Sequence, residues 1–154
     1  MSLAYVALGA NLADPTTQVR AALAALATLP QAQFQRASSL YRTAPVGIAH
    51  QPDFINAVAA LETTLSPNDL LSALFAIESQ FGRRRDYHHA PRTLDLDLLL
   101  YDDQVIDSAR LTLPHPRMHQ RAFVLRPLSD IAPDRVPAEA LGAVAHQPIQ
   151  RLTD

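Results

Sequence analysis

Thr93-Leu94-Asp95-Leu96-Asp97-Leu98-Leu99-Leu100-Tyr101 is the stretch on which the fold turns. Its alternation of leucine and aspartate has the period of two that marks a strand. Residues two apart on a strand share a face. Asp95 and Asp97 therefore stand side by side, about 7 Å apart at the backbone, while Leu94, Leu96 and Leu98 turn to the core.

Working outward, this strand closes a series. Leu3 to Gly9 is short and apolar and reads as a buried strand. Asp14-Pro15 combines an N-cap with proline at the first helical position, and Thr16 to Leu29 follows with Val19, Leu23, Leu26 and Leu29 on one face. Phe34 to Thr43 reads as one strand, Ala44 to Pro52 as a loop, and Phe54 to Thr63 as a strand. Ser66-Pro67 opens a second helix, lined by Leu70, Leu71, Leu74, Ile77 and Phe81, and Gly82 ends it. Arg83 to Pro91 is a polar, cationic loop. The order strand, helix, strand, strand, helix, strand predicts an α+β fold with a ferredoxin-like βαββαβ core. Additional C-terminal helices are expected at Arg121 to Ile131 and within Ala138 to His146. At 154 residues, with no linker or repeat, one domain spanning 1–154 is the natural reading.

Composition removes several chemistries. The chain has no cysteine, and all 13 of its Lys+Arg residues are arginine. A Schiff-base lysine, a thiol nucleophile, a disulfide, a thiolate zinc site and a lysine-bearing phosphate loop are all excluded. Its four glycines are too scattered for a dinucleotide fingerprint. The net charge of −2 argues against a general nucleic-acid binder. No apolar run approaches the roughly 20 residues of a membrane span, and the N-terminus lacks the features of a signal peptide, so a cytoplasmic protein is expected. Eight of the 13 arginines and four of the six histidines nonetheless fall between Arg83 and Arg126. A cationic zone in a slightly acidic chain suits a small anionic ligand.

Two same-face carboxylates repel each other unless a cation or proton lies between them. With arginines close by, and no cysteine, they point to magnesium-assisted phosphoryl or pyrophosphoryl transfer. The alternatives are a solvated polar strand neutralised by Arg92, and a zinc site on the histidines. The one helical spacing, His115/His119, contains Pro116.

Five ordered motifs narrow the choice. They are Leu8-Gly9-Ala10-Asn11-Leu12, Tyr41-Arg42-Thr43-Ala44-Pro45, Gln51-Pro52-Asp53-Phe54-Ile55-Asn56-Ala57, the run from Pro91 to Tyr101, and the run from Pro114 to Leu125. Over roughly Ala4 to Pro133 the chain resembles the 6-hydroxymethyl-7,8-dihydropterin pyrophosphokinases of folate biosynthesis. The resemblance implies transfer of pyrophosphate from ATP to a reduced pterin, with release of AMP, by a monomer. Asp95 and Asp97 would hold two magnesium ions, and Asp97 could take the proton. Arg83 and Arg92 would be loop arginines acting in the chemical step. Arg85, Arg92, His115 and Arg121 would meet ATP phosphates, and Glu78 the ribose. Leu98, Arg110, Leu111 and Thr112 would border the adenine. Thr43, Ala44, Val46, Phe54, Asn56, His89, Asp95 and Phe123 would form the pterin site. His89, Pro116 and Phe75 depart from residues frequent in the family. Gly47 and Gly82 are the candidate hinges of the two loops. A non-catalytic nucleotide-binding module and a metal-dependent phosphohydrolase remain as alternatives.

Overall fold

The computed structural model describes residues 1–12, 14–44, 52–82 and 94–152. Its elements run β1 (Ser2–Ala10), α1 (Pro15–Ala27), β2 (Ala32–Ala37), β3 (Tyr41–Thr43), β4 (Phe54–Thr63), α2 (Pro67–Gln80) and β5 (Asp95–Tyr101). Then come β6 (Ile106–Asp107), β7 (Thr112–Leu113), α3 (Ala122–Ile131), α4 (Ala138–Ala143) and β8 (Ile149–Arg151). The main sheet is antiparallel, in the order β5-β1-β4-β3-β8, and β2 also pairs with β4. The protein is thus of the mixed α+β class.

Both long helices on the first face begin as the sequence predicts. Asp14 accepts the Thr17 N–H at 3.5 Å and the Thr17 hydroxyl at 2.9 Å ahead of Pro15, and Ser66 Oγ accepts the Asp69 N–H at 3.1 Å ahead of Pro67. Such caps satisfy amide donors that the helix cannot. Gly82 follows α2 with φ of 83°, a conformation that costs glycine little. Gly47 lies outside the described residues.

Two apolar layers sandwich the sheet. On one face, Ala4, Val6 and Leu8 of β1, Ala57 and Leu61 of β4, and Leu96 and Leu98 of β5 pack with Leu94 against Val19, Leu26, Leu70 and Leu74 of the helices. On the other, Tyr5, Ala7, Val58 and Leu99 pack against Val124, Leu125 and Leu128 of α3. The acid pair belongs to this second face. In register, Asp97 lies beside Ala7, which lies beside Val58; Asp95 lies beside Gly9, which lies beside Asn56. The two aspartates are therefore half-buried at the margin of the α3 layer, where the second core gives way to polar residues.

Three features differ from the sequence reading. The strand expected over Phe34 to Thr43 is two strands, because Ser38 interrupts it: its Oγ accepts the Val58 N–H at 3.0 Å and donates to the Ser39 carbonyl at 2.7 Å. The apolar end of β5 is not regular either. Tyr5 pairs with Leu100 and Val6 with Leu98, which leaves Leu99 as the extra residue of a bulge. Finally, the C-terminal segment forms β8 beside β3. It is held by Leu152 N–H on the Leu40 carbonyl at 2.8 Å and by Arg151 near Asp130. Asp130 also accepts the Tyr41 hydroxyl at 2.8 Å. Burial and this carboxylate push the phenol up to about 12, so Tyr41 stays a donor throughout the neutral range.

Candidate active site

Two clefts meet at the acid pair. The first, of about 520 Å³, runs along the outer side of β5 and is lined by Leu71 and Phe75 of α2, Leu98, Arg110, Leu111, Thr112 and His115. The second, of about 900 Å³, lies over the sheet and is lined by Gly9, Thr43, Ala44, Phe54, Asn56 and Phe123. Asp95, Asp97, Arg117 and Arg121 line both. A ligand in either cleft meets the same two carboxylates and the same two guanidinium groups.

The β5 bulge helps to build the first cleft. Carbonyl oxygens that a bulge frees from the ladder need another donor. The Leu99 carbonyl is met by the His115 N–H at 2.9 Å. This bond fixes the chain between Pro114 and Pro116 against the strand that carries the aspartates. The imidazole is half-buried. Its Nδ1 accepts the Arg117 N–H at 3.3 Å, which leaves Nε2 as the protonated nitrogen of the neutral ring. Burial first, then the nearby Arg121 and Arg117 charges, hold His115 below its ordinary pKa, against an opposing pull from Asp95. A neutral donor among cations suits a phosphate oxygen. Across the cleft, Arg110 donates to Ser72 Oγ on α2. Ser108 clamps the turn before Leu111 through bonds to both its N–H and its carbonyl.

The second cleft has a polar floor and aromatic walls. Thr43 Oγ1 donates to Asn56 Oδ1 at 2.8 Å, a buried bond that orients the amide. Gly9 is small for a reason visible here, since a Cβ on it would stand 3.0 Å from Asn56 Nδ2. With its oxygen engaged by Thr43, the Asn56 amide offers its NH2 group to a ligand. Phe54 and Phe123 supply flat apolar surface suited to a heteroaromatic ring. The Arg121 guanidinium lies over Phe123, 5.3 Å from the ring centroid.

The structure thus brings together Asp95, Asp97, Leu98, Arg110, Leu111, Thr112, His115 and Arg121 at one cleft, and Thr43, Ala44, Phe54, Asn56, Asp95 and Phe123 at the other. Phe75, a departure from the family pattern, lines the first cleft. Arg83, Arg85, Arg92, Val46 and His89 lie outside the described residues. Glu78, which the resemblance gives to the ribose, is not among the residues gathered at either cleft. Its side chain is 1% exposed and accepts the Leu96 N–H at 2.7 Å through Oε2.

Sequence reasoning missed Arg117, Gln120, His146 and Gln147, all on the second cleft. Gln147 joins the C-terminal segment to the start of α3. Its Oε1 accepts the Ala122 N–H and its Nε2 donates to the Gln120 carbonyl, both at 2.9 Å. Arg117 sits inside a quoted motif, so its charge was a usable signal. Nothing local marked His146 or Gln147. Among the described residues no three histidine or carboxylate side chains converge as a metal cage. A cation held by Asp95 and Asp97 would draw its remaining ligands from a substrate and water, as magnesium commonly does.

Comparison with known proteins places the chain in a family. A family model described as 7,8-dihydro-6-hydroxymethylpterin-pyrophosphokinase matches residues 5–133. The chain is 52% identical over 154 residues to a 2-amino-4-hydroxy-6-hydroxymethyldihydropteridine pyrophosphokinase of Pseudomonas aeruginosa, covering 96% of this chain and 95% of that protein. It is 48% identical over 136 residues to the Haemophilus influenzae protein of the same name, covering 88% of this chain and 85% of that one. Among solved structures, a wild-type HPPK-DHPS protein of Plasmodium falciparum with pterin and p-hydroxybenzoate superposes with a TM-score of 0.66 at 15% identity. That match covers 86% of this chain and 40% of the longer one, and it speaks to the fold. By its sequence over most of its length, this chain belongs to the 7,8-dihydro-6-hydroxymethylpterin pyrophosphokinase family.

Proposed function

We propose that this enzyme transfers pyrophosphate from ATP to the hydroxymethyl group of 6-hydroxymethyl-7,8-dihydropterin, giving the pterin pyrophosphate and AMP, with magnesium as cofactor. One observation carries the reading: Asp95 and Asp97 line the boundary of two chemically different clefts. The first has a basic, histidine-bearing wall for a triphosphate. The second has aromatic faces and a fixed amide for a flat, hydrogen-bonding ring. The names of the relatives support it.

In this reading, the pterin hydroxyl oxygen attacks the β-phosphorus of ATP. The bond from that phosphorus to the oxygen bridging to the α-phosphate breaks, and AMP leaves with that oxygen. The hydroxyl proton passes to Asp97. Magnesium, two ions with ATP, would be held by Asp95 and Asp97 and would neutralise phosphate oxygens. Arg121, Arg117 and the Nε2–H of His115 bind and orient the phosphates in the first cleft. Leu98, Leu111 and Thr112 border the adenine. Thr43 holds Asn56 so that the pterin edge is read, and Phe54 and Phe123 stack on its faces. Arg83, Arg85 and Arg92 take the phosphate roles the resemblance gives them, and Val46 and His89 complete the pterin site. The strand order β5-β1-β4-β3, with α1 and α2 on one face, supports the ferredoxin-like description of the core. A monomer is the proposed working state. No helix among the described residues is long and apolar enough to cross a membrane, in keeping with a proposed cytoplasmic site.

The test is a product assay with protein, magnesium, ATP and the pterin. AMP formed only in the presence of pterin is the expected result. ADP or free phosphate would replace the reading with kinase or hydrolase chemistry, and no turnover would favour a binding module.

A further inference from the structure

Among the described residues, Glu78 is a buried carboxylate that the proposed chemistry does not use. It lies on the inner side of α2, among Leu70, Leu74 and Ile77, and is 1% exposed. Burying a carboxylate there is costly unless hydrogen bonds compensate it. One bond is specific: Oε2 accepts the backbone N–H of Leu96 at 2.7 Å. Leu96 is the residue between Asp95 and Asp97. Its side chain is fully buried in the layer below the sheet, so this residue is fixed both through its side chain and through its peptide.

The position on the sheet gives the bond its meaning. β5 ends the strand order, with β1 as its one neighbour in the main sheet. Along a strand, successive peptide N–H groups point to opposite edges, so an end strand leaves alternate groups without a ladder partner. An end strand is also freer to twist than a central one. Asp95 and Asp97 flank the Leu96 peptide on the opposite face, so a twist here would turn both carboxylates. The Glu78 bond opposes this at the intervening peptide.

We propose that Glu78 is a positioning residue for the acid pair. Its carboxylate clamps the Leu96 peptide and thereby sets the spacing and direction of Asp95 and Asp97, without touching either ligand. This rests on the reading that the pair holds magnesium against polyphosphate. It differs from the ribose contact implied by family resemblance, and the two roles separate experimentally.

The probes are magnesium ATP and magnesium tripolyphosphate, which has no ribose, measured by calorimetry on the full chain. A second readout is hydrogen exchange of the Leu96 amide in ligand-free protein. Glu78→Gln keeps a carbonyl oxygen at the acceptor position; Glu78→Ala does not. For Glu78→Ala the expected result is Leu96 exchange at least tenfold faster and both ligands weakened by a similar factor, about tenfold. Glu78→Gln is expected to keep Leu96 protection and to bind both ligands within about threefold of wild type. Unchanged Leu96 exchange in Glu78→Ala overturns the clamp. So does a loss confined to ATP in either variant, which is the signature of a ribose contact. If Glu78→Ala does not fold, Glu78→Leu, which fills the space without offering an acceptor, takes its place in both readouts. Wild-type protein that binds no magnesium tripolyphosphate would instead overturn the parent reading of the acid pair, and the clamp with it.

Discussion

The guanidinium of Arg121 stands 5.3 Å from the centroid of the Phe123 ring, at the point where α3 begins. Arg121 lines both clefts, whereas Phe123 lines the second. A ring bound against Phe123 and an anion bound at Arg121 are therefore read by two side chains that also touch each other.

This contact makes a measurable prediction. Phe123→Leu and Arg121→Gln should each weaken pterin binding. In unfolding free energy of the ligand-free protein the double variant should lose less than the sum of the two, by about 0.5–1 kcal/mol, the usual strength of an exposed cation–π contact. Urea unfolding of the four proteins gives this coupling directly. Strict additivity would show that the contact carries no energy.

Gly9 offers a probe of the second cleft alone. A Cβ at this position meets Asn56 Nδ2 at 3.0 Å, so Gly9→Ala should displace the amide and weaken its bond from Thr43. Loss of one such bond corresponds to about 1 kcal/mol, or roughly fivefold in affinity. Pterin affinity should fall by that factor while ATP affinity stays at the wild-type value. Equal losses for both ligands would point to a general distortion of β1.

The acid pair should tolerate neutralisation structurally but not chemically. Asp95→Asn and Asp97→Asn keep the side-chain shape and remove the like-charge repulsion, so urea unfolding should shift by less than about 1 kcal/mol. Turnover should fall at least about a hundredfold for each if the proposed metal role holds. An active Asp97→Asn enzyme that no longer needs magnesium would contradict the proposed mechanism.

His115 predicts a pH dependence of stability. Its folded pKa lies below the ordinary 6.5, because of burial and the neighbouring arginines. As pH falls through 6.5, the unfolded chain takes up a proton that the folded chain resists. Stability therefore drops from about 6.5 downward and stops dropping once the pH is below the folded value. Ligand-free wild type should lose unfolding free energy in this window relative to His115→Gln, with a constant difference above about pH 7. Parallel curves across the whole range would rule out the shift.

Much of this was legible in the sequence because local rules and global fold agree. Asp14-Pro15 and Ser66-Pro67 start helices where capping chemistry says they should, and β4 has the bounds its composition predicts. The alternation in β5 placed Asp95 and Asp97 on one face correctly. The Leu99 bulge was hidden, because a run of leucines buried on both faces carries no period to interrupt. Ser38 ended a strand through a bond to Val58, a partner 20 residues away that spacing cannot reveal. Gln147 and His146 reach the second cleft through tertiary contacts, with Gln147 bonded to Ala122 and Gln120 some 25 residues away and β8 docked beside β3, which local spacing cannot reveal. Glu78 carried an acidic side chain at a position that helical spacing shares with Leu71 and Leu74, which was the available hint that it points inward.

The small size of β8 has a bearing on how the protein behaves at high concentration. A sheet end exposes a row of unpaired peptide groups that another molecule can extend. Here that row is three residues long, with Gln150 and Arg151 exposed along it. At the opposite end, the Leu96 N–H is already occupied by a side chain of α2. Among the described residues, β2 pairs with β4 alone, so its six-residue outer edge is covered neither by β8 nor by the Glu78 side chain. Strand-to-strand association in crowded solutions of the folded protein should therefore favour the β2 edge over β8.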